Sequence, residues 1–141
     1  MAELGQPYLA GIRPAPGPLI TCPADIAKHL TPLLADALQE ELWVLCLNAR
    51  NRVIASHMVY RGSVNSAQVR MSELFRCAVK ENAPAIVMAH NHPSGDPEPS
   101  EPDIHITRMA VDAAKLLDIA LLDHVVIAAD RFYSFKEHGR F

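Results

Sequence analysis

A buried strand that runs directly into a pair of histidines constrains this chain more than any other feature. Residues 85–89 read Ala-Ile-Val-Met-Ala, a short apolar run entered through a proline, which predicts a buried strand. Side chains alternate between the two faces of a strand, so His90 and His92 are expected to project the same way and Asn91 the other way. A segment rich in proline and glycine follows, up to Asp103. We therefore expect a strand, a loop and two imidazoles on one face.

A single histidine at a strand end is usually structural, but two imidazoles on one face indicate a candidate metal site. Asp103 is the candidate for a third ligand, through a carboxylate oxygen. Imidazole nitrogen and carboxylate oxygen are ligands that suit zinc. Catalytic zinc sites keep the fourth tetrahedral position for water, whose pKa then falls to about 7. The spacing therefore predicts a hydrolytic zinc site held by His90, His92 and Asp103.

The second half of this motif also has a structural interpretation. Ser100 as N-cap, Pro102 in the first turn and Asp103 three residues after the cap form the start of a helix similar to a capping box. Both interpretations can hold, because the dipole at a helix N-terminus favours an ionised Asp103 that faces a metal. Ser100, if its hydroxyl faces the metal, is a candidate for stabilising the oxyanion of a tetrahedral intermediate.

Peptide hydrolysis also needs a carboxylate that takes the proton of the water and delivers it to the leaving amine. We expect this group at the edge of a neighbouring strand. Glu40 and Glu41 lead directly into the apolar run 42–47, and either could point into the site. The structural alternative for both is a solvated helix end.

Charge argues against a protein that binds nucleic acid regardless of sequence. The formal net charge of the 141 residues is −3, and the 13 Lys and Arg residues are scattered. Arg50, Arg52 and Arg61 come closest to a basic patch, if a hairpin brings them together, and solvated charges at turns and edges are the simpler interpretation.

Cys22, Cys46 and Cys77 are widely spaced and form no C-x-x-C pair, which argues against a disulfide framework and a zinc ribbon. We expect each to be a small buried apolar residue in a reducing compartment. No stretch approaches the length of a membrane span and the N-terminus lacks the pattern of a signal peptide, so we expect a cytoplasmic protein with no membrane partner.

The order of elements predicts helices packed around a mixed sheet, an α+β class with an α/β/α-like arrangement. We expect residues 1–23 to form a proline-rich N-terminal arm and residues 24–141 to form one domain. The patterns predict helices over 23–39, 72–82 and 103–118, and strands over 42–47, 53–60, 85–90, 121–129 and 132–135.

The run from His90 to Asp103 resembles the JAMM signature of the JAB/MPN metallopeptidases, which reads H-x-H, seven residues, Ser, two residues, Asp. Its form H-N-H-P-S-G-D-P-x-P-S, with Arg61-Gly62 upstream and the segment 122–127 (Leu-Asp-His-Val-Val-Ile) downstream, resembles the RadC branch of that superfamily. The resemblance covers Asp25 to the C-terminus. It implies an MPN/JAB fold, a cytidine-deaminase-like curved mixed sheet flanked by helices. The helix-hairpin-helix region of full-length RadC proteins has no counterpart in these residues, so a short form is expected.

The resemblance also assigns roles to site residues. It implies one zinc ion held by His90, His92 and Asp103, and a catalytic glutamate at Glu40. Leu42 stands where the family's Glu-x-aromatic-x-x-Leu pattern has its aromatic residue, and Glu41 is the alternative acid/base.

Asp123 and His124 match a further family motif and are candidates for anchoring the far nitrogens of the ligating histidines. A polar pair at the start of a strand is the structural alternative for these two residues.

The chain departs from the family pattern at two places. Asn91 stands between the histidines where the wider superfamily has Ser or Thr, although Asn is normal in the RadC branch. The segment 71–73 reads Met-Ser-Glu where RadC proteins usually read Pro-Arg-Glu. The metal ligands are unaffected by either change.

The function implied by the resemblance is zinc-dependent, JAMM-type hydrolysis of a peptide or isopeptide bond. The substrate would be a protein or peptide, with a ubiquitin-like tail as one candidate, and a homodimer is a candidate assembly. One alternative is a DNA-repair-associated module with a metal-dependent nuclease or DNA-binding role, suggested by the family name only. Another is a non-catalytic MPN scaffold.

Overall fold

The helices and strands follow one another along the chain in the predicted order. The computed structural model describes residues 15–34, 36–63 and 68–141. Except at the end of the first helix, each predicted boundary lies within two residues of the observed one. The elements are α1 (Pro23–Leu34), β1 (Glu41–Leu47), β2 (Val53–Arg61), α2 (Met71–Glu81), β3 (Ala85–Asn91), α3 (Glu101–Leu117), β4 (Ala120–Ala128) and β5 (Arg131–Ser134).

The strands of the described residues form one mixed sheet in the order β2-β1-β3-β4-β5. Strands β3 and β4 run parallel, and every other neighbouring pair is antiparallel. Parallel neighbours need a long crossover, which α3 supplies between β3 and β4. The predicted class, an α+β fold with a mixed sheet, is confirmed.

Helices cover both faces of the sheet, which gives the α/β/α layering. On one face, Leu74 of α2 and Ile106 of α3 pack in one apolar cluster with Val44 and Met88. On the other face, α1 packs through Ile26 and Leu30 against a second cluster of strand residues that includes Leu45 and Val87. Because β3 is buried on both faces, it reads as a continuous apolar run in the sequence.

Helix α1 ends at Leu34, five residues before the predicted end at Gln39. Pro32 lies in its last turn and has no backbone N–H to donate. Leu38, which the helical spacing places on the apolar face, is 93% exposed. Ala37 still packs against the second cluster, but the exposed Leu38 adds no apolar burial to a further helical turn, and the prediction for this end was wrong.

The described part of the predicted arm pairs with the start of β2. The backbone N–H of Gly17 donates to the Val53 carbonyl at 2.7 Å, and the N–H of Val53 donates to the Pro18 carbonyl at 3.0 Å. A Cβ at Gly17 would lie 2.9 Å from that Val53 oxygen, which explains a glycine at this close approach. Ile20 is buried in the core. Residues 1–14 of the arm lie outside the described residues.

The cysteine and arginine predictions hold only in part. Cys46 is buried, Cys77 is partly buried, and all three cysteines are free, but Cys22 is exposed just before α1, so the prediction of a buried residue was wrong there. Arg52 precedes β2 and Arg61 ends it, so the hairpin holds them at opposite ends of a nine-residue strand.

In the part of the chain that the structure describes, no helix combines the length and the apolar character that a bilayer crossing requires.

Candidate metal centre

The two motif histidines and Asp103 meet at the end of β3, beside the start of α3. The Nε2 atoms of His90 and His92 lie 3.0 Å apart. The Asp103 carboxylate places Oδ1 at 3.2 Å from His90 Nε2 and Oδ2 at 3.1 Å from His92 Nε2. The structure therefore brings together the three predicted ligands, from a strand end, a loop and a helix N-terminus.

Ser100 and Asp103 form a complete capping box at the start of α3. The Ser100 hydroxyl oxygen accepts the Asp103 N–H at 3.2 Å, and Asp103 Oδ2 accepts the Ser100 N–H at 2.8 Å. The predicted capping box is therefore present, and it leaves the Asp103 carboxylate beside the two imidazoles. The cap fixes the rotamer of Asp103 and aims its second oxygen at the imidazoles.

That second oxygen, Asp103 Oδ1, is buried and accepts no hydrogen bond from any described residue. Burial raises the pKa of Asp103, but the neighbouring His90 and His92 and the Ser100 N–H outweigh it and lower that pKa far below its usual range. Asp103 is thus a buried carboxylate, fully ionised at neutral pH, with one oxygen free of donors. Such an oxygen is costly to bury unless a cation lies beside it.

The ring orientation of His92 is set by the motif loop. His92 Nδ1 lies 2.9 Å from the Asp96 carbonyl, which can only accept, so Nδ1 carries the proton and donates it. The Nε2 lone pair then faces His90 and Asp103. A second proton on Nε2 would be donated to Asp103 Oδ2, 3.1 Å away, and this hydrogen bond raises the pKa of His92, although burial opposes it.

His90 contacts two further buried groups on its other side. Its Nδ1 lies 2.8 Å from His124 Nε2, and His124 Nδ1 lies 2.6 Å from the Thr107 hydroxyl oxygen. Thr107 in turn donates to the Asp103 carbonyl at 2.8 Å. Burial lowers the pKa of His124 well below its ordinary value, so this ring is neutral at neutral pH.

The sequence predicts His124 as an anchor for a ligating histidine, but it does not by itself single out Thr107. The signal was available, because Thr107 lies four residues after Asp103 and therefore on the same face of α3.

The structure separates the two candidate glutamates. Glu40, His90, His92 and Asp103 each offer a ligand atom within 4.8 Å of the others. Glu41 instead accepts the indole N–H of Trp43 at 3.0 Å and the Nε–H of Arg61 at 3.2 Å.

Strand geometry explains this separation. Leu42 pairs with His90 in the β1–β3 ladder, so residues two positions apart on each strand share the face of the site. Glu40 lies on that face together with Leu42, and Glu41 lies on the opposite face together with Trp43.

Asn91 holds the backbone on both sides of Glu40. Its Oδ1 accepts the Glu41 N–H at 2.7 Å, and its Nδ2 donates to the Gln39 carbonyl at 3.1 Å. The Glu40 carbonyl accepts the Gly62 N–H at 2.8 Å. Asn91 points away from the ligands, as the strand alternation predicts, and its position nevertheless fixes the backbone that carries Glu40.

Asp123 lies on the opposite face of β4 from His124. Its Oδ1 accepts the backbone N–H groups of His124 and Lys136 at 2.7 and 3.1 Å, and its Oδ2 accepts the Ser134 hydroxyl at 2.6 Å. Asp123 therefore ties β4 to the end of β5. Its contacts correspond to the structural alternative and do not include an imidazole ring.

The donor set fits a divalent cation. The two imidazole Nε2 atoms lie 3.0 Å apart, His90 Nε2 lies 3.2 Å from Asp103 Oδ1, and His92 Nε2 lies 3.1 Å from Asp103 Oδ2. Lone pairs at such distances repel unless a cation or a shared proton lies between them. A borderline metal that accepts nitrogen and oxygen ligands matches this set.

Comparison with known proteins agrees with this geometry. A family model described as a RadC-like JAB domain matches residues 20–140. The chain belongs to the RadC family. A UPF0758 protein of Chloroflexus aurantiacus is 47% identical over 120 residues, which cover 85% of this chain and 52% of that protein. UPF0758 proteins of Roseiflexus sp. and Staphylococcus aureus are 43% and 44% identical over 86% of this chain and over 52% and 56% of their own lengths.

The chain thus spans about half the length of the curated relatives it matches. The family match confirms the resemblance seen in the sequence, and this RadC-like JAB domain brings together a group of Glu, His, His and Asp suited to a metal. That combination fits a metal-dependent hydrolase.

Proposed function

We propose that this RadC-like JAB domain is a zinc-dependent hydrolase of peptide or isopeptide bonds. The observation that carries the proposal is the convergence of Glu40 on His90, His92 and Asp103, with Asp103 Oδ1 buried and free of donors. Three ligands and an adjacent carboxylate are the minimum that a hydrolytic zinc site needs.

His90 Nε2, His92 Nε2 and Asp103 would hold the ion. A zinc ion held there supplies Lewis acidity, which lowers the pKa of water and polarises a carbonyl. The donor set favours zinc over magnesium or calcium, because those harder ions take oxygen ligands.

Glu40 is the acid/base in this proposal. Its carboxylate accepts a proton from the attacking water and donates it to the amine nitrogen as the C–N bond breaks. The clamp that Asn91 forms around Gln39 and Glu41 fixes the backbone from which this carboxylate reaches the site.

Ser100 is proposed to stabilise the oxyanion that forms on the carbonyl. Its oxygen accepts the Asp103 N–H at 3.2 Å, which leaves the hydroxyl proton for donation, and the residue is exposed beside the ligands. A preorganised donor of this kind stabilises negative charge as it develops.

The exposed edge of the sheet supports a peptide as substrate. In the described residues, β2 has a neighbouring strand on one side only; on its other side the arm pairs with it at Val53, at the end of the strand far from Arg61. It ends at Arg61, and the following Gly62 donates its N–H to the Glu40 carbonyl. An extended peptide that added to this edge would be led towards the site by backbone hydrogen bonds.

The two neighbouring glutamates provide a matched test. We expect Glu40→Gln to bind zinc as wild type does but to lose hydrolysis by about 100-fold or more, within the range of lost acid/base catalysis. Glu41→Gln, on the opposite face, should keep turnover within about threefold, since it leaves the acid/base in place. Zinc is measured by chelator competition, and hydrolysis on a panel of peptides and of lysine-linked isopeptides with ubiquitin-like tails. Equal turnover of wild type and Glu40→Gln would remove Glu40 from the mechanism.

The same preparation separates the two rival functions. Duplex DNA that binds at about 50 mM salt and dissociates steeply as salt rises would favour a DNA-associated module. Full zinc loading without hydrolysis of any member of the panel would favour a scaffold.

A further inference from the structure

We propose that the buried pair Thr107 and His124 selects the imidazole tautomer that makes His90 a metal ligand. The inference rests on the metal site of the proposed function but not on hydrolysis. It concerns a chain of three hydrogen bonds that begins and ends at proposed ligands, from the Asp103 carbonyl to Thr107, His124 and His90.

The direction of the chain is fixed at Thr107. The Asp103 carbonyl can only accept, so the Thr107 hydroxyl donates its single proton there, over 2.8 Å. The Thr107 oxygen is then an acceptor toward His124 Nδ1, at 2.6 Å. His124 must therefore carry a proton on Nδ1.

The position of the proton on His124 in turn fixes the position of the proton on His90. His124 is completely buried and stacks on Phe135, with ring centroids 4.6 Å apart and an angle of 4° between the planes. A neutral ring with its proton on Nδ1 has a lone pair on Nε2, which accepts the Nδ1–H of His90 at 2.8 Å. His90 Nε2 is consequently bare and faces His92 and Asp103.

The alternative tautomer of His90 would prevent metal binding at this site. With its proton on Nε2, His90 could donate to Asp103 Oδ1, 3.2 Å away, which would satisfy the free carboxylate oxygen and remove a ligand at once. That tautomer would leave His90 Nδ1 and His124 Nε2 facing each other as two acceptors in a buried space. This contact between two acceptors disfavours the Nε2–H tautomer of His90 and keeps the lone pair on His90 Nε2 available for a metal.

Thr107 offers a matched pair of variants. Thr107→Val keeps the shape and removes the hydroxyl, while Thr107→Ser keeps the hydroxyl. We expect Thr107→Val to bind zinc about 10- to 100-fold more weakly than wild type, the usual effect of losing a partner behind a ligand, and Thr107→Ser to remain within about threefold. Affinity is measured by chelator competition on protein whose folding is checked by circular dichroism.

Ring-nitrogen NMR tests the same proposal on the unmodified protein. Long-range ¹H–¹⁵N correlations should show His90 and His124 with their protons on Nδ1, and Thr107→Val should populate the Nε2–H form of His90. A proton on Nε2 of His124 in the wild type, or unchanged zinc affinity of a folded Thr107→Val, would overturn the proposal. Absence of hydrolysis by zinc-loaded wild type would count against the proposed function alone, because neither measurement depends on turnover.

Discussion

Two buried aspartates on either side of the sheet differ in how completely their oxygens are satisfied. Asp123 is 5% exposed and receives three donors, two from backbone N–H groups and one from Ser134. Asp103 is fully buried, and its Oδ1 accepts no hydrogen bond from any described residue, while an imidazole nitrogen lies beside each of its two oxygens. A carboxylate whose oxygens all accept hydrogen bonds stabilises the fold. A carboxylate with one oxygen that lacks a donor and lies beside other lone pairs is suited to a cation.

The strongest test of this comparison replaces each aspartate by asparagine. Asp103→Asn should weaken zinc binding by more than the roughly 10- to 100-fold expected for loss of an outer partner, because it removes a ligand. Asp123→Asn should keep zinc affinity but lower the free energy of unfolding by about 2–3 kcal/mol, since all three hydrogen bonds lose their charged partner even if the Ser134 hydroxyl turns to accept from the new amide. Chelator competition and urea unfolding measure the two effects. The contrast between the aspartates fails if both variants lose affinity equally.

A second test separates the positioning of Glu40 by Asn91 from the binding of the metal by its ligands. Asn91→Ala should slow hydrolysis by about 10- to 100-fold while zinc affinity changes little, because a displaced catalytic group loses rate and not metal. Asn91→Asp keeps the acceptor for the Glu41 N–H and loses the donor to the Gln39 carbonyl, so its turnover should be intermediate. A parallel loss of zinc affinity would mean that Asn91 supports the histidines and not Glu40.

The pairing of His92 with Asp103 predicts a pH dependence for protein stripped of metal by EDTA. The lowered pKa of Asp103 contributes stability that is present above its unfolded value of about 3.9 and is lost as the pH falls below that value. The raised pKa of His92 contributes stability that is present below about 6.5 and is lost as the pH rises through its folded value.

The contribution of the Asp103–His92 pair is obtained by subtracting the unfolding free energy of Asp103→Asn from that of wild type. Both proteins contain His124, so its own contribution largely cancels. The lowered pKa of the buried His124 acts in the opposite direction, with stability lost as the pH falls below about 6.5. The difference should be largest between about pH 4 and 6.5 and should shrink on both sides. Urea unfolding from pH 3 to 9 measures it, and a difference that stays constant would show that the two groups are not coupled.

The smallest effect is expected at the helix cap. Ser100→Ala should lower the free energy of unfolding by about 1 kcal/mol, as loss of a serine N-cap does. Ser94→Ala is the matched control, because Ser94 accepts only a long 3.4 Å bond from Asp96 in the exposed part of the loop. Its effect should be within about 0.5 kcal/mol of zero. Equal effects would mean that the capping box does not stabilise α3.

The sequence predicted elements that depend on neighbouring residues. The turn between β1 and β2 is one example, because the Asn48 side chain accepts the N–H groups of Arg50 and Arg52 at 2.9 and 3.0 Å. The start of α3 is another, since its cap uses residues three positions apart. The end of α1 could not be predicted in this way, because it depends on whether Leu38 finds a core to pack against.

The sequence by itself determined the strand, the loop and the capped helix that carry His90, His92 and Asp103, because strand alternation and helix capping act over a few residues. The tertiary structure alone decided which glutamate joins them, since the register of β1 on β3 places Glu40 on the face of the site and Glu41 on the other. It also decided that His124 lies behind His90 while Asp123 points away. These choices depend on pairing between strands more than thirty residues apart, which local patterns do not encode.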